Sequence, residues 1–140
     1  MSVFEDQRLF MNVSGQKSGS GGANLYRDLI TEEFIELQEA WGKYKNDRAS
    51  CAHVAEVADA CMDMIYVISG LMHSMGLDPQ AFWDEVQRSN MSKFSQLADG
   101  SYSVTRRDDG KILKPATYSP PNLTSIVLQQ WSGSHVCVEV

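Results

Sequence analysis

Residues 51–73 read CAHVAEVADACMDMIYVISGLMH, and this stretch decides the architecture of the chain. Val54, Val57, Cys61, Ile65 and Ile68 recur at steps of three and four, which puts them on one face of a helix. Asp47 or Ser50 can cap its start. Ala55, Ala58, Ala60, Met62, Met64 and Val67 make most of the remaining circumference apolar, and a helix apolar on most sides is a buried one. At about 100° per residue, Glu56, Asp59 and Asp63 fall within an arc of about 60°. The expectation is an acidic stripe turned away from bulk water.

Upstream, Asn24–Tyr44 carries Ile30, Phe34, Leu37, Trp41 and Tyr44 at the same helical steps. Glu33 lies beside that face and Glu36 a little further out, with Glu32 one turn before Glu36. A short connection near Asn46–Ser50 favours antiparallel packing of the two helices, which brings both acidic sets to one height. Two carboxylates about 5 Å apart repel by about 3 kcal/mol at an effective dielectric of about 20, and desolvation adds to the cost. Lys43, Lys45 and Arg48 cluster at the connection and Arg27 stands alone upstream, so neither helix core offers a basic partner. Divalent cations that prefer oxygen ligands, Mg²⁺ or Mn²⁺, relieve such a cluster directly. Read alone, Glu32, Glu33, Glu36 and Glu39 are equally a solvated helix face. Two acidic motifs on neighbouring helices favour the metal.

The rest of the chain frames this pair. Val3–Val13 reads as one or two helical turns, and Ser14–Ala23 (SGQKSGSGGA) as a flexible loop. That loop is no phosphate cradle of the GxxxxGK[ST] kind, because Lys17 precedes most of its glycines. Asp78 and Pro79 open a third helix that runs to about Ser89, with Phe82 and Val86 turned inward. Tyr102–Thr105 and Lys111–Lys114 flank an Asp109-Gly110 turn and read as a β-hairpin. Pro120-Pro121 breaks the chain, and Asn122 caps a short helix through about Gln130. Residues 1–130 thus read as one domain and 131–140 as a tail or an arm for a neighbouring subunit.

Composition narrows the function classes. The chain has 140 residues, 43% of them apolar, and a formal charge of −6. That is enough apolar content for a core, and too acidic for a protein that neutralises a nucleic-acid backbone. Cys51, Cys61 and Cys137 form no CxxC pair, which points to a reducing compartment. The start, MSVFEDQRLF, lacks the basic-then-apolar layout of a secretory signal, and the apolar run around Met64–Met72 is too short to span a bilayer. The expectation is a cytoplasmic protein (host cytoplasm if the source is viral) without membrane or nucleic-acid partners.

Glu33-Phe34-Ile35-Glu36 followed by Glu56-Val57-Ala58-Asp59 is an ExxE…ExxD pattern. With Leu29-Ile30-Thr31-Glu32-Glu33, Ile65-Tyr66-Val67-Ile68-Ser69-Gly70, Gly76-Leu77-Asp78, Ser89-Asn90-Met91-Ser92-Lys93 and Gly110-Lys111 through Leu123, it resembles the all-α nucleoside triphosphate pyrophosphohydrolases. This MazG-like group includes the phosphoribosyl-ATP pyrophosphohydrolases and the dimeric dUTPases. The likeness runs over roughly residues 8–128 and closest to free-standing members of phage or bacterial type. It implies an all-α helical bundle completed by oligomerisation, with a small C-terminal β-hairpin and short helix. It also implies hydrolysis of a nucleotide between its α- and β-phosphates to the monophosphate and pyrophosphate.

Carried onto this chain, the resemblance makes Glu33, Glu36, Glu56 and Asp59 the Mg²⁺ ligands, with Mn²⁺ able to substitute. Glu32 or Glu33 becomes the general base, and Lys93 the group that stabilises charge on the leaving pyrophosphate. Asn90 and Lys93 match nucleotide contacts, and Lys111, Lys114 and Tyr118 further phosphate contacts. The Gly/Ser insertion before Asn24 departs from the family pattern. The space it leaves suits a purine such as dGTP. Asp63 either joins the acidic site or hydrogen-bonds a neighbouring helix. His53, His73 and His135 show no mutual metal spacing and read as packing or surface residues. Ile35, Met62, Met64 and Met72 lie outside the main stripes, so a homodimer or dimer of dimers is expected, with Trp131 as an interface anchor. The competing readings are a non-enzymatic, metal-stabilised helical interaction module and a phosphoribosyl-ATP pyrophosphohydrolase.

Overall fold

A computed structural model describes residues 2–19 and 21–131 of the chain. The expected tail lies outside them apart from Trp131, as do His135 and Cys137. The chain divides into two compact units, Met1–Pro79 and Gln80–Val140.

The first unit holds three helices, α1 (Val3–Val13), α2 (Ala23–Asn46) and α3 (Cys51–Ser74). α1 is a full 11-residue helix, longer than its mixed sequence suggests. A capping box explains the difference. The Glu5 backbone N–H donates to Ser2 Oγ at 3.3 Å, and the Ser2 N–H donates to the Glu5 carboxylate at 2.7 Å. Ser50 Oγ accepts from the His53 N–H at 3.3 Å and starts α3 as expected. α2 and α3 run antiparallel, because Tyr26 lies against Gly70, Glu33 among Asp59 and Asp63, and Lys43 on Glu56.

The faces that pack match those the apolar periodicity marks only in part, since Ile30, Leu37, Val57 and Cys61 are half-buried as expected and other members of the stripes are exposed. On α3 the buried residues are Ala60, Val67, Ser69, Gly70, His73 and Ser74. Val54, Ile65 and Ile68 are 49%, 43% and 42% exposed. On α2, Tyr26 and Ala40 are buried and Phe34 and Trp41 exposed. Small residues decide this, since Gly70 leaves room for the Tyr26 ring and Ala40 and Ala60 are buried between the helices. A Cβ on Gly70 would overlap the Tyr26 ring and lie 2.6 Å from Gln7 Nε2. Met11, Tyr26 and Val67 form the core, flanked by Leu29, Ile30 and Leu71.

The segment Ser14–Ala23 is tied down rather than free. Ser18 Oγ and the Gly19 N–H both donate to the His73 carbonyl, at 2.7 and 2.9 Å. Tyr26 Oη donates to Gln16 Oε1 at 2.6 Å and accepts from the wholly buried Gln7 at 3.2 Å. His73 is buried and its Nε2 lies 3.0 Å from the Phe4 carbonyl, which can only accept, so that nitrogen carries the proton.

The second unit is built on α4 (Pro79–Met91), β1 (Ser95–Gln96), β2 (Tyr102–Ser103) and α5 (Leu123–Trp131). The hairpin forms one step earlier than expected. β1 pairs antiparallel with β2, Ser95 opposite Ser103 and Gln96 opposite Tyr102, around an Asp99-Gly100 turn. The expected ladder across Asp109-Gly110 is reduced to a single bridge, Arg106 opposite Ile112. Both turns place Gly at positive φ, 85° and 86°, and in each the Asp carboxylate accepts the backbone N–H two residues on, Asp99 from Ser101 at 2.9 Å and Asp109 from Lys111 at 3.1 Å. Glu85 accepts the Asn122 N–H at 2.8 Å, and Asn122 Oδ1 accepts the Ser125 N–H at 3.2 Å, so one residue links α4 to the cap of α5.

Candidate functional site

The inward row of α2 is Tyr26, Ile30, Glu33, Leu37 and Ala40, spaced by three and four. Glu33 therefore points along the seam with α3, where an apolar residue would ordinarily sit. It is half-buried, whereas Glu32, Glu36, Glu56, Asp59 and Asp63 are exposed. Glu33 Oε2 is buried with no hydrogen-bond partner. That burial, and then the negative charges of Glu36, Asp63, Glu32 and Asp59, push its carboxyl above the ordinary carboxylate range. Asp63 thus belongs to the acidic group.

The acidic stripe of α3 is not shielded from water as its apolar surroundings suggest. Only one side of α3 is covered by α1 and α2, and Glu56, Asp59 and Asp63 stay exposed together with Val54, Ile65 and Ile68. Glu36, Glu39, Ala40, Lys43, Glu56, Asp59 and Ala60 line a cleft of about 290 Å³. Lys43 Nζ donates to Glu56 Oε2 across it at 2.8 Å. The contact holds Glu56 below its usual pKa and raises that of Lys43. A basic partner is therefore present, contrary to expectation. The sequence places Glu36, Glu39 or Ala40, and Lys43 on one face of α2, but the partner on α3 follows only from the register of the two helices.

Among the described residues, no three His, Cys, Asp or Glu side chains are gathered closely enough to enclose an ion. The donor set nonetheless suits a hard divalent cation. It consists of carboxylate oxygens, one of them orphaned, carrying more negative charge than a single ammonium offsets.

The second unit assembles a basic, hydrogen-bonding group of its own. Lys93 Nζ donates to Asn90 Oδ1 at 2.8 Å. The Lys114 ammonium lies 4.4 Å from the centroid of the Tyr118 ring. A hydrogen bond with Ser89 lowers the Tyr118 phenol from its ordinary pKa, and the charges of Lys114 and Lys93 act in the same direction. Asn90, Lys93, Lys114 and Tyr118 thus form one group. Lys111 sits in the next turn, its backbone N–H donating to Asp109 at 3.1 Å.

No helix among the described residues is long and apolar enough to cross a membrane. The family described as phosphoribosyl-ATP pyrophosphohydrolase matches residues 12–90, more than half of the chain. The matched span contains Glu32, Glu33, Glu36, Glu56, Asp59 and Asn90 and stops short of Lys93. No curated protein matches the chain.

Proposed function

The chain belongs to the phosphoribosyl-ATP pyrophosphohydrolase family, and on that premise we propose that it hydrolyses a nucleoside or deoxynucleoside triphosphate between the α- and β-phosphates. The products are the monophosphate and pyrophosphate. The observation that carries the reading is Glu33, whose half-buried carboxylate has one orphaned oxygen and sits among four others at a helix seam. A purely structural seam has no use for such a group, because burying an unpaired carboxylate is costly.

Glu33, Glu36, Glu56 and Asp59 would hold Mg²⁺, or Mn²⁺ in its place. Such an ion, when bound, neutralises phosphate charge and lowers the pKa of a water. Glu32 or Glu33 takes the proton of the attacking water as its oxygen bonds to phosphorus and the bridging P–O bond breaks. A carboxyl whose pKa is raised by its surroundings suits that task. To the second unit we assign nucleotide contacts. Lys93 stabilises charge on the departing pyrophosphate, and Asn90, Lys111, Lys114 and Tyr118 contact phosphate or sugar oxygens.

For the base, dGTP is the first substrate to try. Beside the Gly-rich segment lies a cavity of about 380 Å³, lined by Gln16, Leu25 and Tyr26 among others, with room for a purine. The second reading, phosphoribosyl-ATP itself, is favoured by the family match. A homodimer or dimer of dimers is proposed as the working form, since Phe34, Ile35, Met62, Ile65 and Ile68 remain exposed on the single chain.

The test is a pyrophosphate-release assay with Mg²⁺ on the four dNTPs, the four NTPs and phosphoribosyl-ATP. Turnover of one triphosphate supports the leading reading, and turnover of phosphoribosyl-ATP alone supports the second. Silence across the panel leaves a non-enzymatic module.

A further inference from the structure

Four carboxylates and one ammonium face the cleft between α2 and α3, from Glu36, Glu39, Glu56, Asp59 and Lys43. Lys43 spans from one helix to the other to reach Glu56 Oε2 at 2.8 Å. The pair is open to water, with side-chain exposures of 56% and 43%. An exposed ion pair contributes little and is easily displaced. The carboxylate it occupies is one of the proposed ligands of the ion. An ammonium and a doubly charged ion on one carboxylate repel each other, so an ion that takes Glu56 weakens the hold of Lys43 on it. Loading therefore frees an ammonium on a long, rotatable stem anchored at the edge of the cleft. The carboxylates left to it are contested by the ion, whereas a polyphosphate arriving there brings unshared, strongly accepting oxygens.

We propose that Lys43 is a movable counter-charge, which holds Glu56 in the ion-free cleft and passes to a phosphate oxygen of the nucleotide once an ion takes Glu56. The inference rests on the metal-site reading above and adds a residue that the sequence motifs do not contain. It has a signature that a merely structural lysine lacks. Removing the ammonium should strengthen binding of the bare ion and weaken binding of the phosphate ligand, two effects of opposite sign from one substitution.

The experiment is a calorimetric titration of the full chain with Mn²⁺ alone, then with pyrophosphate at saturating Mg²⁺. Lys43→Met should tighten Mn²⁺ by about 3-fold and weaken pyrophosphate by about 10-fold. Lys43→Arg should leave both near wild type. In a Glu56→Gln background, Lys43→Met should no longer tighten Mn²⁺. Affinities that move in the same direction, or Mn²⁺ binding unchanged by Lys43→Met, overturn the proposal while leaving the metal site standing. Absence of Mn²⁺ binding to wild type and Lys43→Met alike overturns both.

Discussion

Glu33 in the first unit and the shifted carboxylates of the second are treated in opposite ways. In the second, each shifted acid is supplied with donors by its own chain. Arg88 and the Asn122 N–H pull Glu85 from an ordinary 4.5 to about 2. Ser101 lowers Asp99 and Arg107 lowers Asp109. In the first, Glu33 shifts upward because its neighbours are burial and four further carboxylates. Acids that the chain satisfies itself hold structure together. On the proposed reading, the acid left unsatisfied at the helix seam is kept for an ion from outside.

That contrast is broken most severely by neutralising the carboxylates that surround Glu33. Glu36→Gln or Asp59→Asn should reduce Mg²⁺-dependent pyrophosphate release by more than about 100-fold, with the far-UV circular dichroism unchanged. Retained turnover in either variant would remove these residues from the site. Next comes the packing that creates the seam. Gly70→Ala gains about 1 kcal/mol of helix propensity, but its methyl group has no room beside Tyr26 and Gln7. The net loss should be about 2 kcal/mol in urea denaturation, and a neutral or stabilising result would mean that the helices pack less closely.

Smaller effects test the satisfied acids. Glu85 has a folded pKa below its unfolded one, so its contribution is complete above about 4.5 and is lost as pH falls toward 2. Glu85→Gln should speed hydrogen exchange at the Asn122 amide at pH 7, and flatten the acid limb of the second unit's stability. The smallest effect has the opposite sign. The folded pKa of Glu33 is raised, so ionising it costs stability, and Glu33→Gln should raise Tm by a few degrees at pH 7.5 in chelator. That gain should shrink as pH falls below the ordinary glutamate value, where both states are protonated. A lower Tm at pH 7.5 would place Glu33 among the satisfied acids.

Much of the architecture was legible because helix ends carry local chemistry. Ser50, Pro79 and Asn122 mark the starts of α3, α4 and α5 in the sequence as they do in the structure. The inward stripe of α3 was legible only in part, at Val57 and Cys61. Periodicity weights Val54, Ile65 and Ile68 above Ala60 and Gly70, while close approach of two helices selects the small residues. The hairpin lies one turn earlier than expected, since Asp99-Gly100 and Asp109-Gly110 are equivalent as turn signals, down to the N–H that each Asp accepts from two residues on, and nothing local shows which carries the longer ladder. At the site, the acidic spacing pointed to Glu33, Glu36, Glu56 and Asp59. The Lys43 contact depends on the register of two helices, which no single helix encodes.

The most direct measurement is a ¹³C-NMR titration of the Glu33 side-chain carboxyl with and without Mg²⁺. In chelator, the carboxyl should titrate above the ordinary glutamate value, and saturating Mg²⁺ should move it below that value. An ordinary titration that Mg²⁺ leaves untouched would contradict the account, leaving Glu33 a solvated acid on an acidic helix.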